Sequence, residues 1–179
     1  MSIRPETQLT AEGQSVSDAE YRQISELLFH EGSLLSRHDY ETWLTLLSPE
    51  IDYRMPLQTF QHRNQQRNYG KNSAWLDETF ESLEIRAKQL NNAASNSEAI
   101  PSFMRYFITN ILMKKTDLGF AVSSQVLLLR VRANNPAPFF LSAQRSDVWI
   151  EDEGKLLLKD REIHLDMPQI DSPTLAFFM

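Results

Sequence analysis

Histidine is the most versatile catalytic and metal-binding side chain in this sequence, which contains no cysteine. The four histidines are His30, His38, His62 and His164, and no two of them have the spacing of a zinc motif such as His-x-x-x-His. His164 and Asp166 are two residues apart near a predicted strand, so their side chains should point the same way. A metal site at this pair is one interpretation, and a solvated or interface pair is the more ordinary one.

A second chemistry open to the chain is general acid–base catalysis. His30 is predicted on the first helix, and Asp52 and Tyr53 on the first strand, so a buried histidine facing a carboxylate could act on a small molecule. The competing interpretation makes His30 a structural residue at the edge of an apolar stripe. No Gly-x-Ser-x-Gly segment is present, and scattered serine, histidine and aspartate residues do not predict a nucleophile.

Composition excludes two other classes of site. Without cysteine, the chain has no disulfide, no thiolate zinc site, no cysteine-ligated iron–sulfur cluster and no cysteine nucleophile. The five glycines all lie more than a dozen residues apart, so the chain has neither Gly-x-Gly-x-x-Gly nor a P-loop to hold a phosphate.

The charge of the chain argues against nucleic acid as a partner. The formal net charge is −6, whereas nucleic-acid binders carry a basic footprint. The first 30 residues contain no apolar h-region, and no run of 18 apolar residues occurs, so we expect a cytoplasmic protein that does not enter a membrane. One basic loop superficially resembles an RNA-binding loop, with an interface loop as the alternative; its residues are Arg54, Phe60, Arg63, Arg67, Tyr69 and Lys71.

Charged residues are segregated along the sequence. Residues 105–145 carry six bases and one acid, whereas residues 146–179 carry eight acids and three bases. Ion pairing between elements is the simpler interpretation, and a polar seam against a partner subunit is the other. On adjacent strands such residues could form a cross-strand ionic ladder. The candidates for either role are Arg105, Arg130, Arg132, Arg145, Asp147, Arg161 and Asp166, and the basic block is where we first expect the seam.

Three amphipathic helices are predicted among the elements that position these residues. Residues 1–16 are polar and lack a hydrophobic period, so we expect an amino-terminal arm before a single domain over 17–179. Ser17 and Glu20 have capping-box spacing and open a helix with one apolar face. Asp39 should cap a short second helix ending at Ser48 and Pro49. The third helix has an apolar seam running from Leu76 to Leu90.

Strands are predicted on both sides of the third helix. Ile51, Tyr53 and Met55 alternate as in a strand, and residues 57–73 should form a loop. From residue 103 the period becomes two, predicting strands at 103–113, 120–132, 139–150 and 155–165 whose short connections require antiparallel pairing. The result is an α+β domain with helices over a curved sheet. We expect the apolar segment LAFFM to be buried in the core or in a neighbouring chain.

Four stretches, read together, resemble one family. The chain is similar over about residues 20–179 to the small (beta) subunit of Rieske-type aromatic-ring-hydroxylating dioxygenases. It departs from that pattern at Ser142 to Arg145, where many relatives have a glycine before the arginine, and in the 57–73 loop. The matching stretches are EGSLLSRHDYETWLTLLSPEIDYRMP from Glu31, DETFESLEIRAKQL from Asp77, SFMRYFITNI from Ser102 and LLLKDREIHLDMPQIDSPTLAFF from Leu156.

The resemblance implies a cystatin-like or nuclear transport factor 2-like cone, with three amino-terminal helices packed on a strongly curved antiparallel sheet. It also implies an assembly of three alpha and three beta chains that carries out cis-dihydroxylation of an aromatic compound. The alpha chain would hold a Rieske 2Fe-2S cluster and a mononuclear iron. This chain would be a structural subunit with no catalytic, cofactor-binding or metal-binding residue. The alternative is a stand-alone dehydratase or isomerase of the same fold that uses a His/Asp acid–base pair.

Overall fold

The computed structural model describes residues 14–59, 68–92, 102–133, 135–167, 169–170 and 175–179. Helices and strands follow one another in the order that an α+β domain requires. The elements in this part of the chain are α1 (Asp18–Ser36), α2 (Tyr40–Leu44), β1 (Leu47–Thr59), β2 (Asn68–Glu78), α3 (Phe80–Asn91), β3 (Phe103–Thr116), β4 (Gly119–Arg132), β5 (Asn135–Asp152) and β6 (Lys155–Leu165).

The first two helices begin where their capping residues predict. The Ser17 hydroxyl accepts a hydrogen bond from the Glu20 amide at 3.3 Å, and the Glu20 carboxylate accepts one from the Ser17 amide at 2.8 Å. This reciprocal pair is the predicted capping box. The Asp39 carboxylate accepts from the Thr42 amide at 3.2 Å and caps α2. This second helix ends at Leu44, earlier than predicted, because β1 already begins at Leu47.

The prediction of a loop over 57–73 was wrong at both ends. β1 extends to Thr59, and a further strand, β2, begins at Asn68 and pairs with it in antiparallel fashion. Leu76, which the periodicity places on the third helix, is a buried residue of β2 opposite Met55. The cause is tertiary, because the polar residues before Leu76 lack a strand pattern of their own and pair with a neighbouring strand.

The six strands have the order β2-β1-β6-β5-β4-β3. The strands from β3 to β6 form the predicted antiparallel meander. β1 and β6 run parallel, with Tyr53 opposite Arg161, so the predicted antiparallel sheet includes one parallel pair. The short-connection rule does not apply to β1 and β6, because one strand and one helix separate β1 from the meander.

The helices cover one face of the sheet, which we call the inner face, and the core lies between them. α1 packs against β3, and α3 packs against β1 and β2. Successive strand residues point to opposite faces, so residues two apart can share the core side, as Ile51, Tyr53 and Met55 of β1 do. Its buried residues include Leu28, Leu35, Trp43, Met55, Leu83, Leu128, Leu141, Ile163 and Leu165.

Candidate functional site

A network of ionised side chains lies in the middle of the core. Arg161 on β6 donates to both oxygens of Glu31 on α1, at 2.6 and 3.0 Å, and to both oxygens of Asp147 on β5, at 2.8 and 2.7 Å. Arg145 donates to the same Glu31 carboxylate at 3.1 Å, and the Trp43 indole donates to it at 3.1 Å. All five side chains are buried, so each charge depends on its partners for the solvation that water would provide.

Glu31 is absent from the residues that the charge pattern singles out, although it holds the network together. A signal for it is present in the sequence. Ile24, Leu28, Glu31 and Leu35 are spaced by four, three and four residues, which places the carboxylate on the buried stripe of α1. An acidic residue in such a stripe requires a cationic partner in the core.

Electrostatics favour the charged forms of this network. Burial raises the pKa of Glu31, but the Arg161 and Arg145 guanidinium groups outweigh it and lower that pKa to about 2. Burial lowers the pKa of Arg161, and the carboxylates of Asp147 and Glu31 more than reverse this and raise it well above its usual range. Both groups therefore stay ionised at neutral pH, and neither has the intermediate pKa of a general acid or base.

The segment 175–179 occupies the space between the helices and the inner face. Phe177, Phe178 and Met179 have no exposed surface. The Tyr53 hydroxyl donates to the Met179 main-chain oxygen at 2.6 Å and accepts from the Met179 amide at 2.7 Å. Arg161 also donates to that oxygen, at 3.1 Å. The segment is therefore attached directly to the ionic network.

Phe178 is surrounded by aromatic and cationic groups. Its ring centroid lies 4.4 Å from that of Trp43 and 5.2 Å from that of Tyr40. The Arg86 guanidinium carbon lies 5.5 Å from the same ring, and the Tyr106 hydroxyl donates to the Phe178 main-chain oxygen at 2.6 Å. Arg86 also donates to the main-chain oxygen of Leu175. The expected burial of LAFFM is confirmed, and the chain's own core receives it.

Burial also keeps the two tyrosine hydroxyl groups in these contacts protonated. It raises the pKa of Tyr53 to about 12 and raises the pKa of Tyr106 well above its usual range. Both phenols therefore remain protonated hydrogen-bond donors to the main chain, and neither can serve as a base near neutral pH.

The other candidate residues lie in three different environments. Arg130 is buried on the inner face, where it donates to the Ser102 hydroxyl at 3.0 Å and lies 5.9 Å from the Phe177 ring. Arg132 is half-buried opposite Asn135. Arg105 and Asp166 are exposed, and Asp166 accepts a hydrogen bond from the Ser142 hydroxyl. The buried arginines cannot reach another chain without opening the core, whereas Arg105 and Asp166 can.

The proposed acid–base group is not assembled. His30 is exposed on α1 and lines a surface groove of about 490 Å³ with Glu26 and Lys155. Asp52 is exposed, and Tyr53 points into the core towards Met179. Partial burial of its carboxylate, followed by the charge of Asp77, raises the pKa of Asp52. The three groups thus face different surroundings.

The remaining histidines do not form a metal centre in the part of the chain that the structure describes. There, no three histidine, aspartate or glutamate side chains converge on one point. His164 is buried with its Nε2 3.1 Å from a Glu162 oxygen, while Asp166 beyond the strand is exposed. His62 and the basic-loop residues Phe60, Arg63 and Arg67 lie outside the described residues, as do residues 1–13 of the expected arm.

Comparison with protein families shows which family this chain belongs to. Residues 30–172, most of the chain, match the family described as ring hydroxylating beta subunit. This chain belongs to that family. The resemblance noted from the motifs is therefore confirmed.

Solved structures of similar fold agree with the family. A chain of naphthalene 1,2-dioxygenase, from a structure with indole bound in the active site, superposes with a TM-score of 0.78 and 20% identity, covering 99% of this chain and 100% of the other. The beta subunit of benzoate 1,2-dioxygenase from Burkholderia mallei gives 0.67 and 13%, covering 86% and 93%. A protein assigned as a scytalone dehydratase from Novosphingobium aromaticivorans gives 0.62 and 14%, covering 87% and 90%.

These likenesses confirm the predicted α+β cone shared by dioxygenase beta subunits and scytalone dehydratase. Within the described residues of this beta subunit, no helix combines the length and the apolar character needed to span a bilayer.

Proposed function

We propose that this beta subunit is a non-catalytic, structural component of an aromatic-ring-hydroxylating dioxygenase. It would assemble in the cytoplasm with catalytic alpha chains as three alpha and three beta subunits, and the complex would cis-dihydroxylate an aromatic compound. The alpha chain would hold the Rieske 2Fe-2S cluster and the mononuclear iron. Membership of the ring hydroxylating beta subunits supports the partnership.

The observation that carries the structural role is the occupied interior. Trp43, Phe177 and Phe178 fill the space between helices and sheet, and the ionisable groups beside them are paired with each other. A dehydratase or isomerase of this fold needs an accessible acid–base group in that space. Here the charged groups are locked as ion pairs and the phenols donate to the main chain.

The same ionic network should make the subunit rigid, because it joins several elements of the fold. Arg161 joins α1, β5 and β6 through Glu31 and Asp147, and it also contacts the segment 175–179. A buried ionic network holds these elements in one arrangement, because moving any member leaves a buried charge without its partner. A rigid subunit can hold alpha chains in a fixed relative position, which keeps the distances between their redox centres constant.

Reconstitution tests this function. The alpha chain from the same organism is produced with and without this chain and supplied with its electron-transfer proteins and aromatic substrates. We expect the purified chain alone to be colourless and inactive, and the co-expressed proteins to form an active complex with the mass of three alpha and three beta chains. The mass is measured by light scattering after size-exclusion chromatography.

Two results would contradict the proposal. One is a fully active alpha assembly that does not bind this chain. The other is turnover of a small molecule by the isolated chain that is lost on replacing His30 with alanine. That second result would instead support a dehydratase or isomerase activity in which His30 acts from the surface groove beside Glu26 and not from the interior.

A further inference from the structure

The face of the sheet opposite the helices, the outer face, exposes large apolar side chains on β3, β4 and β5. Phe103 is 54% exposed, Phe107 51%, Phe140 49% and Leu127 37%. Arg105 stands among them and is exposed, with its guanidinium carbon 5.2 Å from the centre of the Phe103 ring. We call these five residues the outer patch.

Strand register makes the outer patch continuous. Arg105 lies opposite Leu129, and Leu129 lies opposite Phe140 on the next strand. In the adjacent row on the same face, Phe107 lies opposite Leu127. Paired strands are about 4.8 Å apart and same-face neighbours about 7 Å apart along a strand, so the exposed side chains touch or nearly touch.

The size and composition of the outer patch are those of an interface core. A phenylalanine side chain at half exposure leaves roughly 100 Å² accessible, so the three rings and Leu127 present roughly 300–400 Å² of apolar surface. A standard interface covers about 800 Å² on each partner, with an apolar centre and a polar rim. Aromatic residues and arginine are the types that contribute most binding energy at such centres.

Charge distinguishes between two possible partners for the outer patch, a second copy of this chain and a different chain. Near the outer patch, the outer face of β3, β4 and β5 carries no acidic residue among those described: Asp152 lies at the far end of β5, twelve residues from Phe140, and Asp166, at the border, already accepts from Ser142. Two copies meeting through this patch would bury two Arg105 guanidinium groups with no carboxylate from the face, which is costly. A different chain that offers a carboxylate within an apolar surface removes that cost.

We propose that the outer patch is the docking surface for the catalytic alpha subunit, and that an acidic residue of the alpha chain pairs with Arg105. This inference rests on the proposed function and adds the surface and the chemistry of the contact. The inner-face arginines contribute to the subunit's own core, and Arg105 is the member of the basic block that meets the partner.

Charge insertion into the patch tests the assignment. The variants are Phe107→Asp, Phe140→Asp and Arg105→Glu, each co-expressed with affinity-tagged alpha chain from the same organism. The matched control is Phe29→Asp, since Phe29 is 54% exposed on α1, on another side of the molecule. Thermal unfolding of each isolated variant, followed by circular dichroism, checks that it folds. Binding to alpha is measured by titration, and self-association of the isolated chain by sedimentation.

Each patch variant should bind the alpha chain at least tenfold more weakly than wild type, while Phe29→Asp stays within twofold. If folded patch variants bind alpha as wild type does, the surface assignment is overturned and the proposed function stands. If they lose only self-association of the isolated chain, the patch belongs to a second copy and the assignment is again overturned. If the wild-type chain itself does not bind alpha, both the assignment and the proposed function fail.

Discussion

Replacing Glu31 with glutamine removes the charge that holds two buried arginines. In the native protein Glu31 accepts from Arg161 and Arg145, and the substitution keeps the side-chain shape but leaves Arg145 without its carboxylate partner. Breaking a buried ion pair by removing one partner costs about 3–5 kcal/mol. A domain of ordinary stability has about 5–15 kcal/mol in total, so Glu31→Gln should remove a large part of it.

The lowered pKa of Glu31 gives a second value for the stabilisation that its ion pairs contribute. Its fall from 4.5 to about 2 corresponds to about 3 kcal/mol of native-state stabilisation of the carboxylate. Because the folded pKa is below the unfolded one, the unfolded chain binds more protons between pH 2 and pH 4.5. This contribution is therefore fully present above pH 4.5 and is lost as the pH falls towards 2.

Urea unfolding of the isolated chain, followed by circular dichroism at several pH values, measures both effects. At pH 7 the midpoint of Glu31→Gln should lie roughly 1–5 M below wild type, which is the loss of about 3–5 kcal/mol divided by a denaturant dependence of about 1–3 kcal/mol/M. Between pH 4.5 and 2 the difference between the two proteins should shrink. Glu20, whose pKa Lys115 and Ser17 also lower to about 2, is unchanged in both proteins and does not affect the comparison.

Glu50→Gln is the matched control. Glu50 is exposed and pairs with Lys159 at 2.9 Å on the surface, where such a pair contributes about 0–1 kcal/mol. The reasoning is refuted if Glu31→Gln unfolds within about 1 kcal/mol of wild type, or if its difference from wild type is the same at pH 3 as at pH 7. Equal losses for the two variants would refute it as well.

Three further substitutions test the core and the start of β4. Phe178→Ala should cost about 3–5 kcal/mol, because removing the buried ring leaves a cavity. Phe29→Ala, on the exposed side of α1, should cost less than about 1 kcal/mol. Comparable urea midpoints for the two variants would contradict this. Gly119→Ala should cost at least about 2 kcal/mol, because φ is +139° and an added Cβ would collide with a main-chain oxygen of β5. Its control is Gly154→Ala, which is also at positive φ but in open space and should cost about 1 kcal/mol. The melting temperatures of the two variants measure the difference. Tyr53→Phe removes both hydrogen bonds to Met179 and should cost about 1–3 kcal/mol. The melting temperature should fall, and the amide hydrogen of residue 179 should exchange faster with solvent. An unchanged exchange rate would show that these hydrogen bonds do not hold the segment 175–179 in place.

Much of the fold was predictable because its signals are local. The capping box at Ser17 and Glu20 and the cap at Asp39 are short-range hydrogen bonds between residues three apart. The meander from β3 to β6 follows from alternation and from connections too short for anything but reversal. β2 was not predictable in this way, because its partner strand supplies the pattern that its own polar residues lack.

The candidate site was predictable in its residue types and not in its arrangement. The charge pattern singles out Arg145, Asp147 and Arg161, and the register of β5 and β6 places Asp147 directly opposite Arg161. The common partner of the two arginines is Glu31, on a helix far away in the sequence. The acid–base interpretation failed because His30 lies beside the buried stripe of α1 and is exposed, so it does not face Asp52 or Tyr53.

By itself the sequence determined which chemistries the chain lacks the residues for, and the order of every element except β2. The lack of cysteine and of glycine-rich motifs removes whole classes of site whatever the fold, and side-chain periods of two and 3.6 residues depend only on the local backbone. Tertiary structure alone decided the parallel pairing of β1 with β6 and the contacts of Glu31 with Arg145 and Arg161 and of Tyr53 with Met179. These contacts join residues 114, 130 and 126 positions apart. A local pattern shows that a face is buried, but only the assembled sheet and helices determine what it is buried against.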